Sequence, residues 1–431
     1  MKLKNYKTLY CIFFAMLFCI NIFAQEPDKI YKNYIATAQL YNYGDQTQLP
    51  IYTLGSDTKV QLDFDDIEGG YKNYYYTYQL CDYNWKPNDL LQTFDFIKGF
   101  TQNRITNYRY SSISLTKYTH YQAILPDRNS TPSKSGNYLL KIFLDADTSK
   151  LVFTKRLLVV DSKASVSAIV AQTISGDNFL KNQKVRFTAT LGDVNSFSAA
   201  QQVKAVVLQN NNWVTAQKDI KPTFVRGNVL DYSSELVANF PAGKEWRWLD
   251  LRSFRLQSDR VHHADYGKTF TDIFLRPDVD RSTERYIYYP DYNGAYNIVT
   301  YESINPFWQG DYATVHFSFA PPNGTVYVGK DIYVAGQFTG FNLDDKFKMK
   351  FNETTGLYEA DVYMKQGYYT YTYYLADKNG GDFNNTLEGN YWETENNYTV
   401  LIYYKGFMDR VEQLLGVTQI NSRRERQGLG F

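Results

Sequence analysis

Between residues 71 and 90 the chain reads YKNYYYTYQLCDYNWKPNDL, and its large side chains fall in an alternating pattern. In an extended segment Tyr74, Tyr76, Tyr78 and Leu80 share one face, and Tyr75, Thr77, Gln79 and Cys81 share the other. A polar corner follows, then Trp85 ahead of Lys86-Pro87, where Pro87 cannot donate to a strand ladder. An aromatic strand ending in a Trp corner predicts an immunoglobulin-like or fibronectin-like sandwich with the aromatics in its inter-sheet core. No long apolar stripe of period 3.6 follows residue 24. The pattern predicts an all-β protein of tandem sandwich domains.

Three units are expected. Residues 25–162 read as an N-terminal sandwich with strands at 59–64, 74–81, 107–114, 138–144 and 151–159. Residues 163–303 read as a middle β domain. There Val185, Phe187, Ala189 and Leu191 alternate, as do Val203, Ala205 and Val207, and Asn293-Gly294 predicts a hairpin joining 285–289 to 296–300. Residues 304–404 read as a C-terminal sandwich whose strands are entered through Gly356 and Gly367, and 405–431 as a tail with a mobile end.

The first 24 residues look like a secretory signal. Lys2, Lys4 and Lys7 precede an apolar run from Tyr10 to Ile20 that is short for a membrane span, and Ala24 supplies the small residue before a cut. Its removal takes three lysines and no acid, turning a formal charge of +1 into −2. That leaves no basic excess for nucleic acid or an anionic membrane surface. Cys11 and Cys19 leave with the signal, so Cys81 is alone and the exported chain must fold without an internal disulfide.

The chemistry-bearing residues mostly read as structural. In Lys244-Glu245-Trp246-Arg247-Trp248-Leu249-Asp250-Leu251-Arg252, a strand sends Glu245 and Asp250 to opposite faces, wrong for a cooperating acid/base pair, whereas Arg beside Trp suits a cation–π clamp. His262 and His263 diverge, with no third ligand at a useful spacing for zinc. His120 and His316 stand alone in aromatic stretches. Asp145-Ala146-Asp147 and Asp291-Tyr292-Asn293-Gly294 each resemble half a calcium loop but lack the closing Glu, so they read as turns. No nucleophile elbow, phosphate loop or dinucleotide fingerprint occurs. No catalytic residue, metal or cofactor is expected. An outer-membrane barrel is disfavoured by the three arginines and two glycines of 421–431, where a lipid-facing strand needs apolar alternation.

In the third unit, Val334-Ala335-Gly336-Gln337-Phe338-Thr339-Gly340-Phe341, then Gly356-Leu357-Tyr358 and Gly367-Tyr368, is similar to early-set carbohydrate-binding-module sandwiches. Phe341 stands where such modules often place a Trp platform, and the nearest Trp is Trp392. This gives one alternative, a secreted carbohydrate-binding protein acting through the C-terminal sandwich.

Ordered segments along the whole chain resemble the type IX secretion system plug protein family of the Bacteroidota. They are Leu80 to Leu90 with Gly99-Phe100, Tyr118 to Tyr121 and Ser135 to Tyr138; Phe240 to Ser253 with Leu275 to Asp278 and Pro290 to Gly294; Glu388 to Tyr404; and Asp409 to Val411 with Leu415 to Val417 and Asn421-Ser422. Trp246, Arg247, Asp250, Arg252, Gly294 and Trp392 are the motif residues that the resemblance marks as structural. It implies a non-enzymatic periplasmic protein, held peripherally at the outer membrane, that seals the periplasmic opening of a large translocon β-barrel when no cargo is passing. No nucleic acid, direct membrane insertion or small-molecule substrate is implied. Trp85, Lys86, Asp291 and Asn293 are the candidate contacts with the barrel.

Overall fold

The computed structural model describes residues 26–174, 176–192, 198–378, 383–384 and 386–426. The expected signal at 1–24 and the chain end from 427 lie outside these residues. The all-β expectation holds: among the described residues α-helix is confined to four-residue turns such as Thr93–Phe96 and Pro306–Gln309. Among the described residues no helix is long and apolar enough to cross a membrane.

The first unit is a sandwich. One sheet orders Ile35–Asn42, Val60–Asp66, Thr119–Leu125 and Asn107–Tyr110; the other orders Ile51–Thr53, Leu151–Val160, Gly136–Leu144, Tyr74–Cys81 and Gln102–Arg104. Tyr74, Tyr76, Tyr78 and Leu80 point into the core between them, as the alternation requires. Phe64 is the hub, with Tyr74, Tyr121 and Phe153 rings 5.0–5.2 Å away. Such pairs add about 0.5–1.5 kcal/mol each beyond the area they bury. Cys81 is buried, and burial pushes its thiol up to about 12, so it is no nucleophile at neutral pH.

The second and third units are divided differently from the sequence expectation. Strands Ala164–Gln172, Asn182–Leu191, Val229–Tyr232 and Phe224–Arg226 form one sheet. The sheet packed against it, through a shared core, joins Asn212–Ile220 and Val203–Gln209 to Asn397–Tyr404 and Gln413–Asn421 from the chain's far end. The third unit is set into this middle one. Its eleven-stranded sheet begins with Arg247–Asp250 and takes in Val261–Tyr266, Thr271–Leu275, Tyr312–Ala320, Leu357–Lys365 and Tyr368–Asp377.

Two local expectations fail for the same reason, a better partner elsewhere. The turn at Asn293-Gly294 exists, but 285–289 is not a strand, and Tyr296–Asn297 pairs with Tyr368–Tyr369 instead of closing a hairpin. The expected tail is a strand: Gln413–Asn421 pairs along Asn397–Tyr404 and buries Leu414, Leu415 and Ile420. Beyond it Arg423 lies 3.5 Å from the Tyr288 ring centre and Arg426 lies 4.8 Å from that of Trp392, so the end is tied down as far as 426.

Deleting residues 405–431 therefore removes an integral strand of the middle unit. Loss of four buried aliphatic side chains, Val411 with Leu414, Leu415 and Ile420, at roughly 1.5–3 kcal/mol each should lower stability by at least about 6 kcal/mol. Urea denaturation followed by tryptophan fluorescence checks this; an unchanged midpoint would mean that the segment is a dispensable tail.

Candidate functional site

The residues with unusual electrostatics gather where the units meet. Strand Val60–Asp66 is buried on both faces: Val60, Leu62 and Phe64 enter the sandwich core, while Gln61, Asp63 and Asp65 lie on the opposite face, also buried. The third unit packs against these polar residues. Lys365, at the end of strand Leu357–Lys365, places its Nζ 2.5 Å from Asp65 Oδ2 and donates to the Phe307 carbonyl at 2.5 Å; Lys365 and Asp65 are each 1% exposed. Tyr312 donates to Asp65 Oδ2 at 2.6 Å.

His120 completes the group. Its ring bridges Asp65 Oδ1 at 2.8 Å and Asp63 Oδ1 at 3.1 Å and stacks on Phe307 with centroids 5.3 Å apart. Cross-strand register puts it there, since His120 faces Asp65. Burial opposes its charge, but the hydrogen bonds to Asp63 and Asp65 outweigh that and hold its pKa above the ordinary histidine value. Burial likewise works against the Asp65 carboxylate, and Lys365 with His120 overcomes it, holding the pKa below the usual range. Lys365, His120, Asp63 and Asp65 thus form a dry, hydrogen-bonded latch between the first and third units.

A second joint ties the first unit to the middle one. Trp85 sits edge-on against Trp213 with centroids 4.9 Å apart, and Arg156 covers both rings at 5.1 and 5.3 Å while ion-pairing with Asp28. Tyr83 donates to Asp219 and Tyr403 to Asn137. A third network closes the top of the third unit. Arg247 makes a fork on Glu388 at 2.9 and 3.1 Å and also reaches Asp278 at 2.8 Å. Arg281 shares Glu388 at 2.6 Å, Arg260 shares Asp278, and Tyr371 and Tyr373 donate to the other Asp278 oxygen.

The candidate contact residues are mostly internal. Trp85 and Asn293 are buried, Asp291 is half-buried, and Lys86 alone is exposed. Asp291 accepts the Trp246 and Asn293 backbone N–H groups at 2.5 Å each; burial, aided by nearby Glu245, pushes it up to about 8. Burial similarly raises Glu245 to about 7, its Oε1 accepting Tyr286 O–H and the Glu395 N–H.

The structure assigns packing roles to the motif residues. Gly294, at φ +84°, lies under the Trp246 ring, where a Cβ would come within 2.8 Å. Arg252 forks on Asp250 and covers Tyr301 and Tyr368, and Arg247 covers Tyr373, so the cation–π partners are tyrosines where the sequence suggested tryptophans. Phe341 is 5% exposed and packs on Trp246, while Trp392 lies under Arg426; neither offers the open platform that the carbohydrate-module likeness asks for. Among the described residues no group of three or more His, Cys, Asp or Glu side chains could hold a metal ion. The latch was missed because its partners lie 300 positions apart. The one local signal was a strand carrying two acids, Asp63 and Asp65, on its non-core face.

Residues 35–161 match the family described as Type 9 secretion system plug protein 1st domain. A crystal structure of a hypothetical protein from Parabacteroides merdae ATCC 43184, at 2.30 Å resolution, is similar over 92% of this chain and 99% of that one, with a TM-score of 0.87 at 26% identity. No curated protein matches.

Breaking the latch from one side should be costly. Lys365→Met takes the ammonium away from buried Asp65 and is expected to cost about 3–5 kcal/mol; pairing it with Asp65→Asn, which removes the stranded charge but keeps an acceptor for Tyr312 and His120, should recover part of that. The His120 contribution has a definite sign. With its folded pKa raised, it is fully present below about pH 6.5 and fades as pH rises through the folded value, by at most about 1.4 kcal/mol per pH unit. Asp65, with its pKa depressed, contributes above about pH 3.9 and loses its share as pH falls through the folded value. Urea midpoints across this range should fall on the alkaline side in the native protein and flatten there in His120→Gln.

Proposed function

We propose that this chain, whose residues 35–161 match the first domain of the type IX secretion system plug family, is a non-enzymatic periplasmic plug that seats against the periplasmic opening of the type IX outer-membrane translocon barrel and seals it when no cargo is passing. The match over 35–161 carries this reading. The joints between units support it. A pore wide enough for folded proteins can be closed only by a body of comparable size that does not deform, and buried charges at the joints resist deformation. The raised carboxyls are bound by backbone amides and a tyrosine and form no pair poised on a nucleophile. In this reading the chain is exported by residues 1–24, is held at the outer membrane only through the barrel, and binds no nucleic acid.

The test is capture of the tagged protein from the detergent-solubilised envelope of its native host, with partners identified by mass spectrometry. A very large outer-membrane barrel should be recovered, enriched when cargo is depleted, and loss of the protein should admit bulky antibiotics. Capture of no barrel under mild conditions, with unchanged permeability, would refute the role.

A further inference from the structure

A cleft of about 370 Å³ opens where all three units meet, lined by Thr47 and Gln48 of the first, Asn210 and Asn211 of the middle, and Asp291–Asn293, Gln337 and Phe341 of the third. Its size lies in the range of small-ligand sites, about 300–1,000 Å³. Carboxamides dominate it: Asn397, Gln419 and Asn421 join those already named. A carboxamide offers donors and an acceptor together and carries no charge.

Two carboxamides at this junction are buried yet unsatisfied. Asn293 is 5% exposed, and its Oδ1 has no partner in the protein. Gln39, also 5% exposed, has no partner for either Oε1 or Nε2; it lines a smaller cavity of about 90 Å³ that shares Asn211, Gln337 and Phe341 with the cleft. Leaving such a group unmade costs about 1–3 kcal/mol, which a sequence tolerates where the group has other work. Backbone strain falls on the same walls: Asn210, Asn211, Asn293 and Phe341 all have φ between +51° and +58°.

Three carboxyls and one arginine line the cleft, and each carboxyl already accepts a hydrogen bond, Asp291 from the Trp246 and Asn293 backbone N–H groups. Glu395 accepts from Tyr288 and Asn421, Glu425 accepts the Asn421 backbone N–H, and Arg424 is of opposite sign. The cleft therefore suits neither a strong anion nor a cation. Tyr292, 41% exposed and held edge-on by Tyr368 at 5.2 Å, offers an open ring among the amides. We infer that this cleft binds a short, uncharged, hydroxyl-rich glycan, whose hydroxyls pair with Asn293, Asn397 and Gln48 and whose apolar ring face lies on Tyr292. A bound peptide fits less well. Peptide recognition takes specificity from side-chain pockets, and these walls are polar. Phe341 stands in the cleft wall but is buried, so the ring face is offered by Tyr292 in place of the expected Phe341 and Trp392 platform, and the site stands or falls independently of the plug reading.

The test is titration of the purified full chain with neutral oligosaccharides of glucose, mannose and N-acetylglucosamine, by calorimetry and saturation-transfer NMR. Saturable binding is expected to weaken roughly three- to tenfold in Asn293→Gly, which keeps the backbone conformation, and in Tyr292→Ala. Gln39→Leu should leave the free protein as stable or more so, because neither amide atom is paired. Trp392→Ala should leave binding unchanged. Four outcomes would overturn the inference: no binding by any sugar, binding unmoved by Asn293→Gly and Tyr292→Ala, binding abolished only by Trp392→Ala, or a cleft that takes extended peptides in place of sugars.

Discussion

The arrangement of this molecule depends on one buried ion pair, Lys365 with Asp65, and on the histidine that completes it. Taking an ammonium and a carboxylate out of water costs several kcal/mol per ion, and only close geometry with every remaining hydrogen bond satisfied compensates. Here those bonds exist. Lys365 also donates to the Phe307 carbonyl, Tyr312 donates to Asp65, and Tyr41, Gln61 and Gln122 donate to Asp63. His120 sits between the two acids. The Lys365–Asp65 pair is compensated only while the first and third units stay in contact. Separating them would strand a carboxylate on one side and an ammonium on the other, so this interface resists the sliding that polar domain interfaces ordinarily permit.

The same logic runs through the other joints. Arg247, Arg260 and Arg281 share two carboxylates, Asp278 and Glu388, inside the third unit, and both acids are held below their usual range by those guanidiniums against the cost of burial. Arg156, paired with Asp28, covers the Trp85–Trp213 contact between the first and middle units. Gln413–Asn421 returns from the third unit to finish the middle sheet, so the middle unit cannot close until the whole chain is in place. The three units are interlocked by connectivity as well as by charge.

What was legible in the sequence was whatever is encoded locally. The face of Tyr74, Tyr76, Tyr78 and Leu80 follows from a period of two, and the all-β class follows from its repetition. The positive-φ turn at Asn293-Gly294 was readable, but its strands were not, because Tyr296–Asn297 finds its partner more than seventy residues on. Asp63 and Asp65 alternate with Leu62 and Phe64 along one strand. Nothing nearby in sequence reveals that a lysine 300 positions away buries them. Trp85 was a candidate contact with the barrel as well as the corner of an aromatic strand, and its ring fills the joint with the middle unit. The failures share a cause: long-range pairing decides which face of a locally evident strand is covered, and by what.

For the plug role proposed here, the interlocking explains why the marked residues serve shape more than chemistry. A string of independent sandwiches would flex at its linkers, and each linker opening would leave a gap passable to small solutes. Joints closed by buried charge change the scale of that leak, since an opening that costs about 4 kcal/mol is populated roughly once in a thousand molecules. Such stiffness belongs inside the body and not at its contact with the pore. A stopper that must leave when cargo arrives needs a contact of moderate size and polar rim. Placing the strongest electrostatics at internal joints, where Lys365, Arg247 and Arg156 sit, and leaving Lys86 exposed is the division that a rigid but releasable body requires.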